Sequence, residues 1–164
     1  MSNKNIQKHI EDTLIHKQLF NESCLVMVKY LFEQGRDEDA MELARRCLVH
    51  DNSKLTEGEI DAFIQLPIQN ENCTKPHSPL TEEQKKLLEL HWKNNRHHPE
   101  HFTDCHHMDE IDILEMCVDW SARSRQFNTN LIPYVVEQQQ KRFNFDKEMF
   151  NKILKYCEVL MQKE

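Results

Sequence analysis

The chain has 164 residues, a formal charge of −7 at pH 7, two glycines and five prolines. That length fits one domain with a substantial core, and the scarcity of helix breakers beside many Leu, Glu, Lys and Gln predicts an all-α fold. The acidic balance excludes a general nucleic-acid binder, which needs clustered cations, but allows a small anionic substrate where a metal supplies positive charge locally.

Residues 5–20 read as a first helix, with Ile6, Ile10, Leu14 and Phe20 as apolar contacts. His9, Thr13, His16 and Phe20 share one flank of it. Asn21 or Ser23 caps a second helix, Cys24 to Gln34, which Gly35 ends and whose apolar circumference predicts burial. Asp37 caps a third, leading into His50-Asp51. Plotted at about 100° per residue, Ala40, Leu43, Ala44, Cys47 and Leu48 form an apolar arc, with Asp51 near its middle and His50 near its edge. A carboxylate directed at a core is costly unless it is paired or bound to a metal.

Thr56-x-x-Glu59 is a capping box opening a short helix that ends at Pro67. Residues 67–80 have loop composition, with three prolines. Thr81-x-x-Gln84, preceded by Leu80, starts a helix through Leu87, Leu88, His91 and Trp92 to about Asn95; Pro99 disfavours helical geometry at His98. A turn at 102–107 precedes a helix from Asp109 to about Ser124, and further helices run from Pro133 to Phe143 and from an Asp146 cap to about Met161. No strand or internal repeat is expected. Neither a signal peptide nor a membrane span is visible. Six cysteines lie scattered without a CxxC pair; free helical thiols are common in cores, so they are read as reduced and the chain as cytoplasmic.

Two segments carry chemistry beyond Asp51. On the helix 109–124, Asp112, Glu115 and Asp119 form a stripe of about 60° on an otherwise apolar surface, which faces either water or a polar cavity. Seven of the ten histidines fall between His77 and His107, a compositional pointer to metal. His91 and His98 share a face if helical geometry persists between them. A structural zinc built on Cys105, His106 and His107 is the weaker alternative, because such sites use paired knuckles and one is present.

The ordered set His16, His50-Asp51, His91, His98 and Asp119, on successive helices, resembles the HD-domain metal-dependent phosphohydrolases. The spacing suits small nucleotidase-like members. Val49-His50-Asp51-Asn52-Ser53-Lys54 looks like the family's HD-containing helix end, and Met116-Cys117-Val118-Asp119-Trp120 like its final aspartate helix. The segment His91…Asn95-Arg96-His97-His98-Pro99-Glu100 is similar to that of a small branch of the family. The resemblance covers about residues 5–125. It implies a single HD-like bundle of about seven to eight helices, with residues 130–164 completing the core or forming a homodimer contact. It further implies that His16, His50, Asp51 and Asp119 bind one divalent ion and that His91 and His98 (or His97 in place of His98) hold a second, bridged by Asp51. Mixed imidazole and carboxylate ligands suit Mn, Fe, Co, Ni or Zn, and Mg is a further candidate. The implied function is hydrolysis of a nucleotide or similar small phosphate ester by a metal-activated water, with Asp51, Lys54 and Glu100 as catalytic residues. Lys54, and Arg123 or Arg125, are candidates for grounding the phosphate, although surface arginines are the commoner case. Nucleotidase-like members carry a glutamate where Lys54 stands, so acid–base assistance falls to Glu100, Glu115 or a second metal. The alternative is a degenerate HD domain that binds a metal, ligand or partner without turnover. Trp92 and Trp120 either stack on a base or pack in the core.

Overall fold

In the computed structural model, residues 3–56, 59–65 and 81–162 are described. They are helical throughout, with no strand among them: α1 (Asn3–Glu33), α2 (Asp37–Val49), α3 (Ile60–Gln65), α4 (Glu82–Asn94), α5 (Glu110–Gln126), α6 (Leu131–Gln138) and α7 (Lys147–Met161). Short 3₁₀ turns at Asn52–Leu55, Pro99–His101 and Cys105–His107, and a π-helical turn at Gln139–Phe143, link them. The expected loop 67–80 lies outside the described residues.

The centre of the bundle is α5. Its residues from Asp112 to Ala122 are buried without interruption, and it packs against α1, α2, α6 and α7. Asp109 caps it, accepting a hydrogen bond from the Asp112 amide while the Asp112 carboxylate accepts one from the Asp109 amide. The acidic stripe faces the protein interior: Asp112, Glu115 and Asp119 are all buried. Asp146 caps α7 through the Met149 amide.

Several expectations are corrected. The break at residues 21–23 does not occur, and α1 runs through it. Ser23 is not a cap; its hydroxyl meets that of Ser121 at 3.3 Å, and without Gly or Pro nothing local stops the helix. The second half of α1 is only partly buried: Cys24, Met27 and Leu31 face the core, whereas Leu25 and Phe32 are about half exposed. Gly35 does end α1, at φ +68°, with the Arg36 amide bonded to the Leu31 carbonyl at 2.9 Å. Asp37 sits in the first turn of α2 and the preceding Arg36 takes the cap position. On α2, Leu48 is 78% exposed, because the helix ends at Val49 and the apolar arc turns away from the core there.

Cys24 and Cys47 form a disulfide joining α1 to α2, whereas Cys105, Cys117 and Cys157 are free. The expectation that all thiols are reduced therefore does not hold for this pair, and the inference of a cytoplasmic location drawn from it loses that support. Among the described residues, no helix is long and apolar enough to cross a membrane.

Candidate metal centre

Four helices and one turn deliver the site. His16 comes from α1, two turns before Cys24. His50 and Asp51 follow the last residue of α2, where the chain leaves helical geometry: Asp51 adopts φ 55°, ψ 17°, in the left-handed region. This uncommon backbone, tolerated by Asp better than by most residues, points the carboxylate inward, where the helical projection had placed it for a different reason. Lys17 fixes the turn from outside, its ammonium donating to the His50 carbonyl and to Asn52 Oδ1, both at 2.6 Å. Asn95 ties the turn to α4, donating to Ser53 Oγ and to the His91 carbonyl.

Asp51 is the hub. Its Oδ2 lies 3.7 Å from His16 Nε2 and 3.5 Å from His50 Nε2. Asp119 Oδ1 completes that side, 2.9 Å from His16 Nε2 and 3.6 Å from His50 Nε2. The other oxygen, Oδ1, lies 3.4 Å from His91 Nε2 and 3.7 Å from His97 Nε2; His98 Nε2 is 3.0 Å from His91 Nε2. Ligand atoms of His16, His50, Asp51 and Asp119 fall within 4.8 Å of one another, as do those of Asp51, His91, His97 and His98. Two sets of donors thus share one carboxylate. All six metal residues expected from the sequence are brought together. His97, which the sequence offered only as a substitute for His98, joins the second set beside it.

The outer nitrogens of the rings are held by carboxylates. His50 Nδ1 meets Glu115 Oε1 at 2.9 Å and His97 Nδ1 lies 3.3 Å from the same oxygen. His91 Nδ1 meets Glu59 Oε2 at 2.8 Å, and Asn94 donates to Glu59 Oε1. An ionised carboxylate only accepts, so each of these Nδ1 atoms carries a proton, and in the neutral form of each ring the lone pair lies on Nε2, facing Asp51. Arg46 anchors Glu115 at 2.6 Å and Asp112 at 2.7 Å, and Arg96 joins Asp112. Phe20 stacks on His50 with centroids 3.5 Å apart, and His9 bonds the Lys54 carbonyl, so the His9, Thr13, His16, Phe20 flank does face the site. Glu59 is a supporting carboxylate instead of the capping-box residue expected; the Thr56 hydroxyl bonds the Ser53 carbonyl.

Most of the buried side-chain atoms without a hydrogen bond among the described residues belong to these donors: both nitrogens of His16, His50 Nε2, Asp51 Oδ1, His97 Nε2 and Asp119 Oδ1, with Glu100 Oε2 and His101 Nδ1 outside the two sets. Leaving such groups unpaired costs about 1–3 kcal/mol each, and a donor set of imidazoles and carboxylates is what a divalent cation satisfies. These residues therefore fit a metal. The electrostatics differ from ring to ring: three of the histidines are held neutral and His50 is not. Burial, then the Arg123 charge, push His16 down to about 3. Burial also holds His91 and His98 below the usual imidazole range. Burial opposes charge on His50 too, but Asp51, Asp119 and Glu115 outweigh it and raise that ring to about 9. Against their burial, Asp51 is kept ionised by Lys54 and the histidines, and Asp119 by His16 and His50.

The expected catalytic residues are placed less uniformly. Lys54 is buried and its ammonium pairs with Asp51 Oδ2. Glu100 lies two residues past His98; Arg142 holds its Oε1, and among the described residues it makes no hydrogen bond or ion pair with the donor sets. Glu115 is committed to His50, His97 and Arg46, so it is a support and not a free acid or base. Arg125 is engaged by Glu22 and by the Ser23 hydroxyl, both on α1. Trp120 is core, packed against Tyr134 and Phe143; Trp92 lies under Arg142. Asp104, Cys105 and His106 also come within ligand reach of one another but are largely exposed, with Asp104 accepting from the His106 amide as the cap of its own turn. A cavity of 620 Å³ lined by Ser23, Ser121, Ser124 and Arg125 lies apart from these donors; the unpaired buried atoms, not cavity size, locate the site.

A family model described as Family of unknown function (DUF5662) matches residues 5–159, and the chain belongs to that family. No curated protein and no solved structure matches it.

Proposed function

We propose that this member of the DUF5662 family is a metal-dependent phosphohydrolase of HD-domain type, acting on a nucleotide or a similar small phosphate ester. The observation that carries the reading is the sharing of Asp51 between two donor sets, in which His16 Nε2, His50 Nε2, Asp51 Oδ1, His97 Nε2 and Asp119 Oδ1 have no hydrogen bond. His16, His50, Asp51 and Asp119 would hold one divalent ion and Asp51, His91, His97 and His98 a second. Bound there, such ions supply the Lewis acidity and water activation that phosphoryl hydrolysis needs at neutral pH. The chain's own contribution is placement. Glu115 and Glu59 fix ring orientation and tautomer, Arg46 fixes Glu115, and the aromatic ring of Phe20 keeps water from the His50 side. Lys54, a buried ammonium paired with Asp51 Oδ2, would exchange that partner to meet a phosphate oxygen as a point charge.

One observation favours the second reading, a ligand-binding domain without turnover: Lys54 is paired with Asp51 at the position where nucleotidase-like relatives carry a carboxylate. Phosphate release from a panel of nucleotides and small phosphate esters, with Mn, Co, Ni, Mg or Zn added, separates the two. Turnover that disappears in Asp51→Ala is expected. Metal-loaded protein that turns over no ester would replace hydrolysis with binding.

A further inference from the structure

The donor sets are not equally hidden. Side chains of His16, His50, Asp51, His91 and His97 are between 0% and 3% exposed, whereas that of Asp119 is 9% exposed and His98 is only partly buried. Among the described residues, Asp119 and His98 are therefore the most open members of the donor sets. Arg123 follows Asp119 by four residues on α5, one turn along the same face.

Six of the seven arginines in the chain are neutralised by carboxylates. Arg36 pairs with Asp39 and Glu110, Arg45 with Glu42, Arg46 with Asp112 and Glu115. Arg96 pairs with Asp109 and Asp112, Arg125 with Glu22, and Arg142 with Glu100. Arg123 is the exception among the described residues: its hydrogen bond is from Nη1 to the neutral Gln126 Oε1, at 3.2 Å. Gln126 in turn donates to the Asp12 carbonyl of α1, one turn before His16, which sets Arg123 at the α1–α5 seam beside the centre. Its charge acts on both His16 and Lys54. In a chain of net charge −7, a half-buried guanidinium without a carboxylate partner among the described residues, one turn from the more open edge of a metal-fitting cluster, is placed to receive an anion.

We propose that Arg123 is the substrate-binding residue that selects a terminal phosphate: its guanidinium takes the non-bridging oxygens of a phosphate monoester entering over Asp119. Lys54 is already paired with Asp51 Oδ2, so the discrimination rests on Arg123, which attracts a dianionic monoester more strongly than a singly charged diester. The proposal rests on the phosphohydrolase reading for its substrate class, but its test does not depend on turnover.

Binding of inorganic phosphate, methyl phosphate and dimethyl phosphate is measured by calorimetry on the full chain, both metal-free and after loading with Mn. Arg123→Gln is expected to weaken phosphate and methyl phosphate by about 10- to 100-fold, the range for loss of a charge-assisted bidentate contact. Arg123→Lys restores part of the loss, Arg125→Gln matches wild type, and metal content is the same in all. Dimethyl phosphate binds weakly and is indifferent to Arg123. Thermal melts of each variant separate a fold defect from a binding defect, and Arg123→Lys, which keeps the charge, decides the case if Arg123→Gln is unstable. Phosphate binding unchanged in a folded Arg123→Gln, or absent from wild type in both states, overturns the proposal. Wild type that takes up no Mn yet loses phosphate affinity on Arg123→Gln would retain the anion site and refute the metal reading instead.

Discussion

Glu115→Gln isolates the claim that carboxylates outside the donor sets orient the histidines within them. Glu115 Oε1 serves His50 and His97 at once, and Oε2 receives Arg46. A glutamine keeps the volume and one acceptor oxygen but presents an amide N–H₂ to a second donor. Arg46 is not orphaned, because Asp112 remains 2.7 Å away. The stability loss is thus about 1.5–3 kcal/mol, one charge-assisted bond, and not the 3–5 kcal/mol of an abandoned buried charge. Metal affinity falls about 10- to 100-fold, the usual effect of removing a carboxylate behind a ligating histidine. Because Glu115 supports one ring in each donor set, both binding events weaken. Glu59→Gln, behind His91 alone, weakens only one. Competition titration against a fluorescent chelator measures both, alongside urea midpoints. Glu115→Gln with wild-type affinity for both ions would refute the orienting role.

Two further outcomes follow from the same geometry. In chelator, stability is greatest near pH 6.5 and falls on either side. His50, raised from 6.5 to about 9, contributes stability that is complete below 6.5 and lost as pH rises towards 9; His16, lowered from 6.5 to about 3, contributes stability present above 6.5 and lost as pH falls towards 3. Urea midpoints across pH 4–10 measure this (a range of about six units), and a midpoint still rising above pH 8 would contradict it. Reducing the Cys24–Cys47 disulfide, which closes a separation of 23 residues, costs about 3 kcal/mol and lowers Tm by about 6–12 °C. Melts with and without reductant test the figure, and six titratable thiols in the untreated protein would show that the bond is not formed.

Periodicity made the helices legible, and with them the candidate ligands they carry: His16, His91 and Asp119 sit on regular faces that a wheel can locate. Asp51 was found by a projection that its backbone does not follow, since α2 has ended by Val49 and φ 55° supplies the inward turn. Past the end of α4 no period survives to choose between His97 and His98, and the folded chain turns both rings inward. Glu59, Arg46 and the supporting role of Glu115 had no local signal, because their partners lie 32 to 66 residues away and only packing brings them together. Continuity of α1 through Ser23 is another tertiary decision, made by Ser121 and Arg125 across the interface. The disulfide likewise joins two cysteines that each read as an ordinary core position on its own helix.

The shared carboxylate is tested most directly by metal analysis of the purified chain, comparing wild type with His16→Ala, His91→Ala and Asp51→Ala after loading and desalting. A bridging Asp51 predicts that each histidine variant loses the ion of its own set and retains the other, while Asp51→Ala loses both. Folded Asp51→Ala with the metal content of wild type would contradict the centre itself.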